Sequence, residues 1–70
     1  MQRNLVSSSN ILSIGYDEAS ETLEVEFQKS GIYQYYNVPS TLYDQLMVAP
    51  SKGQFLNAYI VKGYPYSRVG

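Results

Sequence analysis

Neither cysteine nor histidine occurs among the 70 residues, and each absence excludes chemistry. Without cysteine there is no disulfide, and without either residue there is no ordinary zinc site. The commonest general base and the commonest soft nucleophile are missing together, so no catalysis, metal or other cofactor is expected. Long apolar runs are lacking too. No stretch approaches the ~18 apolar residues that cross a bilayer. Met1–Asn10 carries one charged side chain and no apolar run of the length a secretory leader needs. The expectation is a cytoplasmic protein without a membrane partner.

Seventy residues leave room for one core, so residues 1–70 read as a single domain. A chain this short buries only ~60% of the surface it exposes when unfolded. With no disulfide or metal, stability rests on apolar packing or on self-association. The material for packing is eight tyrosines and two phenylalanines, each able to bury ~150–250 Å².

Net charge is only −1, but it is unevenly spread. Asp17, Glu18, Glu21, Glu24 and Glu26 hold five of the six acids, and none follows Asp44. Residues 1–44 set Arg3 and Lys29 against all six acids, while residues 45–70 carry only Lys52, Lys62 and Arg68. An anionic partner would therefore meet the C-terminal part.

Periodicity places three strands. Ser7-Ser8-Ser9-Asn10 is a turn cluster leading into Ile11–Tyr16, where Leu12, Ile14 and Tyr16 alternate. Asp17–Glu21 reads as a loop. In Thr22–Gln28, Leu23, Val25 and Phe27 face one way and Glu24 and Glu26 the other, as ordinary solvated residues. Ile32–Val38 is the third strand. Its hairpin partnership has two readings. A two-residue Lys29-Ser30 loop puts Tyr33 and Tyr35 on the open face beside the glutamates, available for stacking on bases as in single-stranded RNA binders. A three-residue Lys29-Ser30-Gly31 loop uses glycine at a left-handed position, sets Phe27 opposite Tyr33, and turns both tyrosines into the core. The second suits the residues better.

Two helices follow. Ser40–Ala49 has Leu42, Leu46 and Ala49 in one stripe, flanked by Tyr43 and Met47, and Pro50 stops it. Ser51 and Gln54 have the spacing of a capping box. Beyond it Phe55, Leu56, Tyr59 and Ile60 form an apolar face, and Gly63 is a stop signal. Tyr64-Pro65-Tyr66 is an edge segment at best. The expected fold is α+β: a three-stranded antiparallel sheet followed by two helices on one face, in the order β-β-β-α-α.

Ser51-Lys52-Gly53 breaks local rules. Lysine at a helix start opposes the macrodipole, and glycine there costs up to ~1 kcal/mol relative to alanine. One reading is an anion site, with free N–H groups, Lys52 as counter-charge and Gly53 admitting a ligand. The other is that Gly53 lets the helix approach its neighbours closely. Both stay open.

Taken in order, Ser8-Ser9-Asn10-Ile11, Gly15-Tyr16-Asp17, Leu23-Glu24-Val25-Glu26-Phe27, Tyr33-Gln34-Tyr35, Val38-Pro39, Ser51-Lys52-Gly53 with Phe55 and Asn57, and Tyr64-Pro65-Tyr66 resemble the KTSC domain family over residues 7–66. The family takes its name from the C-terminus of some lysyl-tRNA synthetases and also occurs as stand-alone small proteins. The resemblance implies a small domain of unsettled function, for which RNA binding is suggested by the synthetase context and by a central Tyr-x-Tyr that matches Tyr33 and Tyr35. Members carry basic residues at positions matching Gln54, Ala58 and Tyr59, where this chain has none. The first functional expectation is a non-catalytic module that binds RNA, tRNA or other nucleic acid weakly, through Ser51, Lys52, Gly53, Lys62 and Arg68. The second is a protein-interaction module or weak homodimer using exposed aromatics.

Overall fold

A computed structural model describes all 70 residues. The fold is α+β, as the periodicity implies, but the sheet has five strands rather than three. The order is β1 (Arg3–Leu5), β2 (Ile11–Asp17), β3 (Thr22–Phe27), β4 (Gly31–Tyr35), α1 (Ser40–Val48), α2 (Lys52–Tyr59) and β5 (Tyr66–Arg68). All strand pairs are antiparallel and neighbours in space are neighbours in number, β1-β2-β3-β4-β5. The two additional strands are the edges. Each has three residues, too few for any alternation to register, and each exists because a long strand offers it a hydrogen-bonding edge. Gly15 permits the first of these pairings: a Cβ there would lie 2.6 Å from the Gln2 carbonyl oxygen.

The core lies between the helices and one face of the sheet. Ile11, Ile14, Leu23, Val25, Tyr35 and Val38 meet Leu46 of α1, Leu56 of α2 and Ile60 at the α2 C-cap in a single cluster of nine buried residues. In β3 the expected alternation holds on this face, with Leu23 and Val25 fully buried. In β2 it does not. Ile11 pairs with Phe27 but Ser13 pairs with Glu26, so Leu12 is an extra residue in a bulge. One inserted residue reverses the parity of what precedes it. Ile11 therefore enters the core, and Leu12, expected inside, is 40% exposed.

The β3–β4 hairpin has a three-residue loop, but its residues are Gln28-Lys29-Ser30. Phe27 pairs with Gly31, Val25 with Tyr33 and Leu23 with Tyr35. That is a two-residue offset from the expected register, and a shift of two keeps every side chain on its face. Gly31, with φ +98°, does occupy a conformation only glycine takes easily. Both tyrosines thus point to the helix side. Tyr35 is buried, and Tyr33 is half-buried with its ring edge-on to Phe27 at 5.7 Å.

Pro39 precedes α1 and Ala49-Pro50 ends it. The Ser51 hydroxyl caps α2 by accepting from the Gln54 N–H at 3.3 Å. No helix is long and apolar enough to cross a membrane.

Candidate functional site

The helix-free face of the sheet is not the solvated surface that its glutamates imply. Arg3 of β1 reaches across β2 and pairs with Glu24, and its other nitrogens meet Ser13 at 3.0 Å and Glu26 at 3.6 Å. Gln34 donates to the second Glu24 oxygen at 2.8 Å, and the Tyr36 hydroxyl donates to Gln34 at 3.2 Å. Glu24 is 7% exposed, a correction to its expected solvation. The Gln34 hydrogen bond, and after it the Arg3 guanidinium, hold its carboxyl below the usual range against the opposing effect of burial. This lattice neutralises Arg3 and consumes two acids. It leaves a net negative charge and no free cation for an anionic ligand.

The other side differs. A groove of three adjoining compartments runs beside α2. The first, about 330 Å³, is polar and lies between the Ser7–Asn10 loop and residues Ser51–Gln54. Its loop is shaped by Ser8, whose hydroxyl accepts from the N–H groups of Asn10 and Ile11, both at 3.3 Å. The middle compartment, about 400 Å³, shares Asn10, Gly53 and Asn57 with the first and is closed by the hairpin residues Gln28, Lys29 and Ser30. The Gln28 N–H donates to the Asn10 carbonyl at 2.9 Å, tying hairpin to loop. The third, about 310 Å³, is walled by Phe27, Tyr33, Tyr35, Val61 and Tyr66. Asn57 lines all three. Burial, followed by the nearby Tyr33 and Tyr66 phenols, raises the Tyr35 pKa, so its hydroxyl stays neutral well above physiological pH.

Only some of the expected site residues share this groove. Ser51, Lys52 and Gly53 line its polar end, where Lys52 turns back so that its Nζ lies 3.5 Å from the Ala49 carbonyl. Arg68 is opposite Tyr33 on β5, exposed, with its Nε donating to the Gly70 carbonyl at 3.0 Å. Lys62 is exposed beyond the end of α2, about 12 Å of helix from Lys52. The three cations therefore do not form one cluster. Lys52 stands at the polar end of the groove and Lys29, which sequence reasoning passed over, lines its middle, whereas Lys62 and Arg68 line no compartment of it. Ser8, Ser9, Asn10 and Asn57 were also unassigned. They read as a turn and a helix surface, although they stand among the residues that carry the family resemblance.

Close packing is not the reason for Gly53. A Cβ at this position would meet only Asn10 Nδ2 at 3.8 Å and Ser8 Oγ at 4.0 Å, both ordinary van der Waals contacts. Gly53→Ala is expected to raise stability by up to about 1 kcal/mol in urea unfolding. A loss of stability would restore the packing explanation.

A meandering sheet with two helices on one face, and a groove beside α2 that grades from polar to aromatic, define a small α+β domain. Residues 7–64 match the KTSC domain model, and the chain belongs to that family. A Yersinia pestis KTSC domain protein of known crystal structure is 43% identical, with a TM-score of 0.97 over 99% of this chain and 97% of that one. A Stutzerimonas stutzeri protein is 36% identical over 99% of both chains. The lysine–tRNA ligase of Nostoc sp. is 36% identical over 87% of this chain, which spans only 11% of that enzyme's length.

Proposed function

We propose that this domain is a nucleic-acid-binding module and that the groove beside α2 is its contact surface. One observation carries the reading: the groove has cations in its lining and no acid. No carboxylate lines any compartment of the groove. Asp17, Glu18 and Glu21 lie at the far end of β3 from the hairpin, roughly 20 Å away at ~3.3 Å per residue. Glu24 and Glu26 point to the opposite face, where they hold Arg3. The remaining four cations, Lys29, Lys52, Lys62 and Arg68, have no Asp or Glu partner. A net-acidic chain thus has an acid-free groove with Lys29 and Lys52 in its lining and aromatic rings at one end, which is complementary to a phosphate and a base. The lysine–tRNA ligase relative supports RNA as the nucleic acid.

Four cations imply modest, salt-sensitive affinity, with a slope of log K against log salt no steeper than about −3. In an NMR titration of the labelled domain with tRNA and short single-stranded RNA, shifts are expected at Ser8–Asn10, Lys29, Ser30, Ser51–Gln54, Asn57 and Arg68. They should fade as salt is added. If no residue moves at low salt with RNA in excess, the proposal fails. A protein-contact reading then takes its place, for which the exposed Val48 and Tyr59 beside Phe55 supply an apolar surface.

A further inference from the structure

We propose that the groove holds one unpaired nucleotide, its base against Tyr66 in the aromatic compartment and its phosphate in the middle compartment beside Lys29, Ser30 and Asn57. This rests on the nucleic-acid reading and narrows it from nucleic acid in general to an unstacked nucleotide.

The geometry of the third compartment carries the inference. Tyr66 is 59% exposed, although its ring centroid lies only 6.0 Å from that of Tyr33 and 5.9 Å from that of Tyr35. Its two neighbours are tilted to it by 46° and 38°, so neither covers its face as a stacked partner would. Tyr35, 4% exposed, forms a floor beneath them. The result is an aromatic recess of about 310 Å³ in which Tyr66 is the most exposed ring, at the lower end of the ~300–1,000 Å³ range of small-ligand sites. It is too small for a base pair with its backbones and suited to one flat heterocycle.

The recess continues directly into the middle compartment through Phe27, Ser30 and Asn57, which line both. Ser30 and Asn57 supply uncharged donors at that junction, and Lys29 adds a cation without a carboxylate partner. A hydrophobic aromatic wall leading to a cationic polar wall matches the two halves of a nucleotide. A duplex fits this arrangement poorly, because its base faces are covered by its own stacking and only edges and phosphates are offered. An unpaired base presents its face to any aromatic, with little dependence on sequence.

The shared chemistry has two sources, a free nucleotide or an unpaired residue of a strand, and the test separates them. Binding of the intact domain is measured at low salt with a short oligouridylate, a blunt RNA duplex of the same length, uridine monophosphate and inorganic phosphate. The oligouridylate is expected to bind at least about tenfold tighter than the duplex, with the nucleobase protons shifted upfield by the tyrosine ring. Monophosphate binding comparable to that of the strand assigns the site to free nucleotides. Much weaker monophosphate binding assigns it to strands, whose further phosphates reach the other cations. Tyr66→Ala should weaken the oligouridylate roughly 5- to 150-fold, the range for loss of a base-stacking aromatic, while Tyr66→Phe keeps the ring and the affinity. The inference is overturned if the duplex binds as well as the strand, which leaves general nucleic-acid binding standing. A folded Tyr66→Ala variant of unchanged affinity, or wild-type binding without upfield base shifts, overturns it equally. If neither RNA binds, the broader reading falls with it.

Discussion

Leu46→Ala is expected to cost about 2–5 kcal/mol, the largest loss from any single truncation in α1. Leu46 is the one α1 residue with no exposed surface, and it stands in the nine-residue core where α1, α2 and the sheet meet. Leu42, Tyr43 and Met47 surround it only as half-buried neighbours. Removing its side chain leaves a cavity that has little room to collapse, because Ile14, Val25 and Leu56 around the same core are already close-packed. At ~0.05–0.15 kcal/mol per residue, a domain of this size has roughly 4–10 kcal/mol in total. The variant should therefore lose a large share of its stability. In urea its midpoint should drop while the slope stays that of wild type, since the surface exposed on unfolding hardly changes. Val48→Ala, at a position 81% exposed two residues along the same helix, is the control and should stay within about 0.5 kcal/mol. A cost at Leu46 no greater than at Val48 would mean that α1 is not docked on the sheet as described.

Arg3→Ala is expected to cost about 1–3 kcal/mol, although it alters a three-residue edge strand near the chain start. The cost arises at Glu24, whose nearly buried carboxylate would lose its counter-charge and keep only Gln34. Full burial of the pair would raise the figure, but the Arg3 side chain is 27% exposed and solvent screens part of the effect. Glu24→Gln should cost less, since a neutral amide in the same place needs no counter-ion and can still bond to Gln34. The pair also makes stability depend on pH. The folded-state pKa of Glu24 lies below its ordinary value of 4.5. As pH falls, the unfolded chain therefore takes up this proton before the folded one does. The stabilisation is complete above about pH 4.5 and is lost progressively as pH drops through the folded pKa. Unfolding midpoints measured from neutral to acid pH should show this loss in wild type and a reduced one in Glu24→Gln. An unchanged acid profile in Glu24→Gln would remove the role assigned to the pair.

How much of this was legible beforehand depends on the range of the forces involved. The alternation of Leu23, Val25 and Phe27, the break at Pro50 and the Ser51 cap of α2 are local, set by side-chain period, by the ring of proline and by one hydroxyl three residues from its N–H. They placed three strands and two helices, although the strand expected to run to Val38 ends at Tyr35. The parity of Tyr33 and Tyr35 was legible as well, because a three-residue loop puts them on the Phe27 side wherever its first residue falls. The family signature was carried by the same local stretches.

Tertiary structure decided the rest. Three-residue β1 and β5 have no period of their own and form only where β2 and β4 offer an edge. The bulge at Leu12 exchanges Ile11 for Leu12 in the core because the β2–β3 ladder inserts a residue there, and nothing in the two side chains distinguishes that outcome. Glu24 looked solvated because its counter-ion is 21 residues away in sequence. The groove was hidden for the same reason. Ser8–Asn10, Lys29, Asn57 and Tyr66 come from a loop, a hairpin, a helix and an edge strand, and their common chemistry exists only once the meander and α2 bring them together. By itself the sequence determined the three longer strands and the two helices, since those choices depend on neighbours a few residues apart. It did not determine which polar residues share a surface, since that depends on contacts across the whole chain.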